Sequence, residues 1–288
     1  MTDPAAPDTA APDTAATTPG ETTPAETGTV TRDTRRRRSR TVRSIRIAGI
    51  SLLGLIAAAV IAFLVWTNIT FAATEAGRAA AHADDRIAIR VDGDLVVMEP
   101  TGAPDPALQD QGLVFLAGAK VDPEAYVPTF RAAVAEGLTV VIVRPILNMA
   151  ILEWRDFSTF TAAAPDVTTW AVGGHSQGGV RACTYAERDD VTGLVLLGSY
   201  CSLGDLSDRD DLSAISVTGS RDGLLKRDAA DASRELMPAQ TAYVELEGVN
   251  HAQFGDYGPQ PGDRDADVSD ADARAKVSAA ILDFFTRA

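Results

Sequence analysis

Ser176 is the residue of this 288-residue chain whose surroundings best suit a nucleophile. It lies in Trp170-Ala171-Val172-Gly173-Gly174-His175-Ser176-Gln177-Gly178-Gly179-Val180, where an apolar run enters, small residues bracket a serine and a helix-compatible segment leaves. Gly174-His175-Ser176-Gln177-Gly178 has the G-x-S-x-G spacing of a strand that turns sharply into a helix and projects a serine oxygen from the sheet edge. Flanking side chains larger than hydrogen would collide with the strand or the helix there. The same five positions also serve ordinary strand-to-helix turns, so any chemistry depends on partners elsewhere in the chain.

A serine hydroxyl needs a base to be nucleophilic at neutral pH, and histidine is the usual one. The chain has three histidines. His82 lies ahead of the first expected strand, and His175 is expected to point away from the partner of its neighbour Ser176. That leaves His251, in Gly248-Val249-Asn250-His251-Ala252-Gln253-Phe254-Gly255-Asp256-Tyr257-Gly258, directly after the last expected strand. A loop histidine bonded to its own backbone is the alternative reading. The imidazole in turn needs an orienting carboxylate. Asp222, in Gly219-Ser220-Arg221-Asp222-Gly223 just past the strand expected at 214–218, is the choice, although Asp-Gly is also a common turn former. Asp205, Asp208, Asp210 and Asp211 read as a solvated loop.

Charge developing on a carbonyl oxygen needs preorganised N–H donors, each commonly worth about 3 kcal/mol of barrier. The backbone of Gln177 is one expected donor. Ala119, in Ala117-Gly118-Ala119-Lys120 after the apolar run Leu113–Leu116, is the other, while Lys120 reads as a surface charge. Asn148 and Tyr257 are expected at the substrate, with Met149, Leu152 and Tyr200 as further wall residues, though each also suits a packing role.

The elements that must position these groups alternate. Ile87–Val91 and Leu95–Met98 flank Asp92-Gly93-Asp94, a hairpin signal. Leu113–Leu116, Leu138–Val143, Trp170–Gly173, Leu194–Leu197, Ala214–Thr218 and Ala242–Leu246 are short apolar runs of the kind buried in a parallel sheet. Between them, Asp122 and Pro123 open a helix that Gly137 closes. Helices are also expected at 155–164, from Ser176 to about Glu187, and near 226–236. A last helix places Val277, Ile281, Phe284 and Phe285 on one stripe. Such alternation implies a sheet covered on both faces, with sites at the carboxyl ends of its strands.

From about Leu113 to the C-terminus the sequence resembles the small bacterial alpha/beta hydrolases with little or no cap domain. The blocks that carry the resemblance are Gly118-Ala119-Lys120-Val121-Asp122-Pro123, Pro145-Ile146-Leu147-Asn148-Met149-Ala150, Gly174-His175-Ser176-Gln177-Gly178-Gly179, Asp222-Gly223-Leu224 and the long stretch Asn250–Gly258. The resemblance implies an α/β fold with a mostly parallel sheet and helices on both faces. It places Ser176, Asp222 and His251 in the nucleophile, acid and base positions, in the family's chain order. Ala119 departs from the family, which often has a second glycine there.

Ahead of that region, residues 1–46 read as a disordered cytoplasmic tail that ends in the basic cluster Arg35–Arg46. Ile47–Trp66 follows, twenty residues without a charge. As a helix it would be roughly 30 Å long, the thickness of the hydrocarbon core. With the basic cluster on its N-terminal side, the expected topology is a single-pass anchor with the tail inside and residues 67–288 outside the cytoplasm. Residues 67–85 are expected as a linker or stalk, and 86–288 as the hydrolase domain.

The formal net charge of -14 argues against nucleic acid as a partner. The two cysteines, Cys183 and Cys201, lack metal-ligand spacing and are expected as unpaired buried thiols, with pairing open to them outside the cytoplasm. No metal and no organic cofactor is implied. The expectation is a membrane-anchored serine hydrolase that cleaves a small-molecule carboxylic ester or related acyl compound. A catalytically silent hydrolase-like binding or scaffolding module, and an amidase or peptidase with the same triad, remain open.

Overall fold

The computed structural model describes residues 30–287, without the side chains of 30–36, 39 and 41. The expected disordered tail therefore lies largely outside the described residues. The chain divides into two compact units, Met1–Ala59 and Val60–Ala288.

The first unit contains the start of helix α1 (Val30–Thr67). This helix begins well ahead of Ile47, because arginine is a good helix former and an established helix propagates back through the basic cluster at little cost. Within α1, Val42–Thr67 is long and apolar enough to cross a membrane, and no residue of its most apolar window is buried.

In the second unit, α2 (Glu75–His82) precedes an eight-stranded sheet. The strands β1 (Ile87–Asp92) and β2 (Leu95–Pro100) form the expected hairpin, with Asp92 paired to Leu95 across Gly93-Asp94. There follow β3 (Gln111–Leu116), α3 (Val127–Glu136), β4 (Thr139–Val143), α4 (Ser158–Thr161), β5 (Thr169–His175), α5 (Gln177–Tyr185), β6 (Val191–Leu197), β7 (Ser213–Gly219), α6 (Arg227–Ala232), β8 (Ala242–Leu246) and α7 (Asp270–Arg287). The strand order is β1-β2-β4-β3-β5-β6-β7-β8, antiparallel through β1, β2 and β4 and parallel from β4 to β8.

Alternate residues of each strand feed the two faces. Leu113 and Phe115 join Phe130, Val134, Val277, Ile281 and Phe285 on the α3 and α7 side. Val114 and Leu116 join Phe160, Ala182, Tyr185 and Met237 on the α5 side. The central strands are apolar on both faces, as a sheet sandwiched by helices requires. The structure thus has the expected alpha/beta-hydrolase architecture, and Ser176, Asp222 and the loop after Val143 all follow carboxyl ends of parallel strands.

Residues 67–85, expected as a linker or stalk, include the helix α2 and pack against the rest of the unit. Phe71 forms a parallel bridge with Val121, the hydroxyl of Thr74 caps α2 and also donates to Asp256, and Ala81 is buried in the core. The small residues Gly77 and Ala81 let this short helix sit close enough to bury an apolar face. One expectation is corrected: Cys183 and Cys201, expected as unpaired thiols, are disulfide-bonded, with Cα atoms 5.7 Å apart. The bend at Gly198 returns the chain over the first turn of α5, where the Ser199 hydroxyl donates to the carbonyl of Ser176, and this carries Cys201 back to the helix.

Candidate active site

The Ser176 turn is built by close packing. Ser176 has φ 53° and ψ -122°, a left-handed conformation that costs a non-glycine residue on the order of 1–3 kcal/mol and persists only where the surroundings enforce it. Its N–H donates to the carbonyl of Leu197 and its carbonyl accepts from the Ser199 hydroxyl, which fixes the turn to the end of β6. A Cβ on Gly174 would lie 2.2 Å from the backbone of Gly178, and one on Gly178 would lie 2.0 Å from the carbonyl oxygen of Leu116. Glycine at both positions is therefore a steric requirement. Ser176 itself is partly exposed.

Asp222 is fully buried just past β7. One carboxylate oxygen accepts from the N–H groups of Leu224 (2.9 Å) and Leu225 (2.8 Å), and the other lies 2.8 Å from Nδ1 of His251. The loops that carry the two are tied together. Arg221 N–H donates to the carbonyl of Val249, while Asp263 accepts from Gly223 N–H with one oxygen and from Ala252 N–H with the other, each at 2.9 Å. Asp263 was not anticipated. Its role depends on two backbone donors 29 residues apart in sequence, and an aspartate in a Gly-Asp turn gives no sign of that.

The structure brings Asp222 and His251 together, but it does not join His251 to Ser176. Nε2 of His251 is buried and has no hydrogen-bond partner among the described residues. A base held at Nδ1 by a carboxylate, with its other nitrogen free, can accept a proton at Nε2.

His175 departs from expectation. Rather than pointing away, it is buried with its ring centre 4.4 Å from that of His251. Its Nδ1 lies 2.9 Å from the Tyr126 hydroxyl, which also accepts from Gly118 N–H at 3.0 Å. Burial, reinforced by the neighbouring His251, holds the His175 imidazole well below the ordinary histidine range, so it is neutral. Burial likewise raises the Tyr126 phenol and keeps it protonated. The result is an uncharged chain from the loop after β3 to the ring beneath His251.

Of the two expected oxyanion donors, the N–H groups of Gln177 and Ala119 form no hydrogen bond among the described residues. The neighbouring Gly118 and Lys120 N–H groups do, to Tyr126 and to the carbonyl of Asn148. Asn148 and Tyr257, expected at the substrate, both bond within the fold. Asn148 is buried, donates to the carbonyl of Thr67 and accepts from Arg144. Tyr257 donates to Gln260 and packs its ring against Phe71 and His175. Lys120, read as a surface charge, sits with Nζ 4.3 Å from the centre of the Trp66 ring. His82 is exposed on α2. A cavity of about 310 Å³ under α6, bounded by Tyr200, Ser216, Arg227, Arg234 and Tyr243, includes none of Ser176, Asp222 and His251.

The sequence model of the Alpha/beta hydrolase family matches residues 112–275, more than half of the chain. The chain belongs to the alpha/beta hydrolase family. No curated protein matches it. Among solved structures, this hydrolase is similar to esterase 2 of Thermogutta terrifontis in a form phosphoramylated by tabun (14% identity, 70% of this chain and 95% of the other, TM-score 0.47). It is also similar to Est1E from Butyrivibrio proteoclasticus (15% identity, 69% and 99%, TM-score 0.46). A third similar structure is described as a membrane phospholipase A, a novel bacterial virulence factor (15% identity, 85% and 100%, TM-score 0.48). The family match takes in Ser176, Asp222 and His251.

Proposed function

We propose that this alpha/beta hydrolase is a membrane-anchored serine hydrolase that cleaves a carboxylic ester or related acyl compound through an acyl-enzyme. The observation that carries the reading is the buried Asp222–His251 pair, 2.8 Å apart, on loops tied to one another beside the strained turn of Ser176. Ser176 attacks the acyl carbon, and His251 takes the hydroxyl proton at Nε2 and returns it to the leaving oxygen. Asp222 orients the imidazole and stabilises its charged form. The free N–H groups of Ala119 and Gln177 receive the tetrahedral oxyanion, and water then releases the acyl group.

Residues 47–66 act as the anchor, with 1–46 in the cytoplasm and the domain outside. The basic cluster on the N-terminal side supports that orientation. So does the Cys183–Cys201 disulfide, because such bonds persist in oxidising compartments. The packing of α2 and Phe71 against the hydrolase region supports starting that domain ahead of residue 86.

The unpartnered Nε2 of His251 favours a second reading, a folded but silent module that binds without turnover. Against it, serine–histidine hydrogen bonds are commonly loose without substrate and tighten on binding. Fluorophosphonate labelling of the full-length protein separates the two. The expected result is stoichiometric labelling and ester hydrolysis, both lost in a folded Ser176→Ala variant. Equal labelling of wild type and variant would sink the hydrolase reading.

A further inference from the structure

The end of α1 is joined directly to the rim of the candidate site. Thr67 is fully buried and its carbonyl accepts from Asn148. Phe71 N–H donates to the carbonyl of Lys120, Asp122 N–H donates to the carbonyl of Phe71, and Thr74 bonds Asp256 through both its N–H and its hydroxyl. Residues 67–74 thus fasten to three loops, the one that carries Ala119, the one after β4 and the one that carries His251. No slack separates the last turn of the candidate span from the rim.

That rim is apolar where it faces solvent. Trp66 is 48% exposed, Ile69 63%, Ile151 47%, Leu152 37% and Trp154 76%. Scattered apolar residues on a surface are ordinary, but here five lie on two segments that the Asn148–Thr67 hydrogen bond joins. The turn Ala150–Leu152, which bears Ile151 and Leu152 and leads to Trp154, packs against α5, the helix that starts after Ser176. It is also stiff. The buried Glu153 accepts from Ile146 N–H (3.2 Å), from Arg155 N–H (3.0 Å) and from the Arg155 guanidinium (2.6 Å), which fixes the backbone on both sides of the exposed Trp154.

We propose that this rim lies in the interface of the membrane that holds α1, and that the site takes its acyl substrate from that leaflet, as a lipid ester resident in the bilayer. The inference rests on the reading of residues 47–66 as an anchor and of Ser176 as the nucleophile. Tryptophan favours the headgroup level, and a rigid apolar rim beside the point where a span leaves the bilayer is placed to insert there. Lys120, stacked on Trp66 at that exit, has its charge where anionic headgroups lie.

The test uses the full-length protein in phosphatidylcholine vesicles, some of which contain lipid with a nitroxide near the top of the acyl chain. Tryptophan emission is expected to be quenched by the nitroxide lipid, and Trp154→Phe is expected to remove part of that lipid-quenched emission. The double variant Ile151→Ser/Trp154→Ser should slow hydrolysis of methylumbelliferyl palmitate dissolved in the vesicles by about tenfold. It should leave the water-soluble methylumbelliferyl acetate unchanged within about twofold. The proposal is overturned if Trp154→Phe removes only emission that aqueous iodide quenches, or if the double variant slows both esters alike or neither. Trp154 shielded from both quenchers, with a dimer that the double variant splits, would assign the rim to a second copy and overturn it as well. A wild type that cleaves neither ester while Trp154 is lipid-quenched breaks the hydrolase reading and leaves the seating of the rim in place.

Discussion

The ring centre of His175 lies 4.4 Å from that of His251, with the two rings tilted 43° to one another. His175 immediately precedes the candidate nucleophile, and through Tyr126 it is bonded to Gly118, beside the candidate oxyanion donor Ala119. The residue before Ser176 therefore packs its ring against the candidate base and is itself bonded, through Tyr126, to the loop that carries Ala119.

Stability should depend on pH through His175. Its folded value is depressed by burial, whereas the unfolded chain titrates near the ordinary value of 6.5. Below that value the unfolded chain binds more protons than the folded one, so stability rises with pH there. The contribution is complete above the unfolded value and is lost as pH falls beneath it, by up to about 1.4 kcal/mol per pH unit. Melting temperatures of the wild type measured from about pH 8 to about pH 5 should fall towards acid, and His175→Gln should flatten the slope. An unchanged slope in the variant would assign the acid lability to another group.

Asp222→Asn separates orientation from folding. The asparagine oxygen can still accept from Leu224 and Leu225, so the loop keeps its backbone ties. Its amide presents a donor to His251, which favours the wrong tautomer. The expected outcome is a fall in kcat of roughly a thousandfold or more with KM nearly unchanged, while the protein still melts cooperatively. Activity within about tenfold of wild type would remove Asp222 from the machinery.

The disulfide should be worth measuring by urea titration. Cys183 and Cys201 are 18 residues apart, and closing a loop of that length stabilises a fold by about 3 kcal/mol in the chain-entropy account. Reduction, or Cys201→Ser, is expected to lower the urea midpoint, with a slope no smaller than that of the oxidised protein because the released chain unfolds further. Because Ser199 in the same segment bonds the carbonyl of Ser176, loss of ester hydrolysis should accompany the loss of stability. A midpoint unaffected by reductant would mean that the bond does not form in solution.

Much of the site was legible in the residues because its determinants are local. The turn at Ser176 needs two glycines and a serine at fixed spacing, and these are read off directly. The parallel strands announce themselves as runs such as Thr139–Val143, because a strand buried on both faces has no polar face to show. Asp222 and His251 each follow a strand end in the order the sequence shows, and the structure sets them 2.8 Å apart. Long-range packing was not legible. That His175 turns inward depends on Tyr126, 49 residues away. That Cys201 meets Cys183 depends on the bend at Gly198, and that Asn148 bonds Thr67 and Tyr257 packs on Phe71 depends on where residues 67–71 come to rest. Sequence by itself determined the candidate chemical groups, the alternation of elements and the apolar span, because composition and short spacing set these. Only the tertiary structure decided which loops meet, because a contact between residues distant in the chain depends on the whole sheet that carries them, and one such contact brings the end of α1 to the rim of the candidate site.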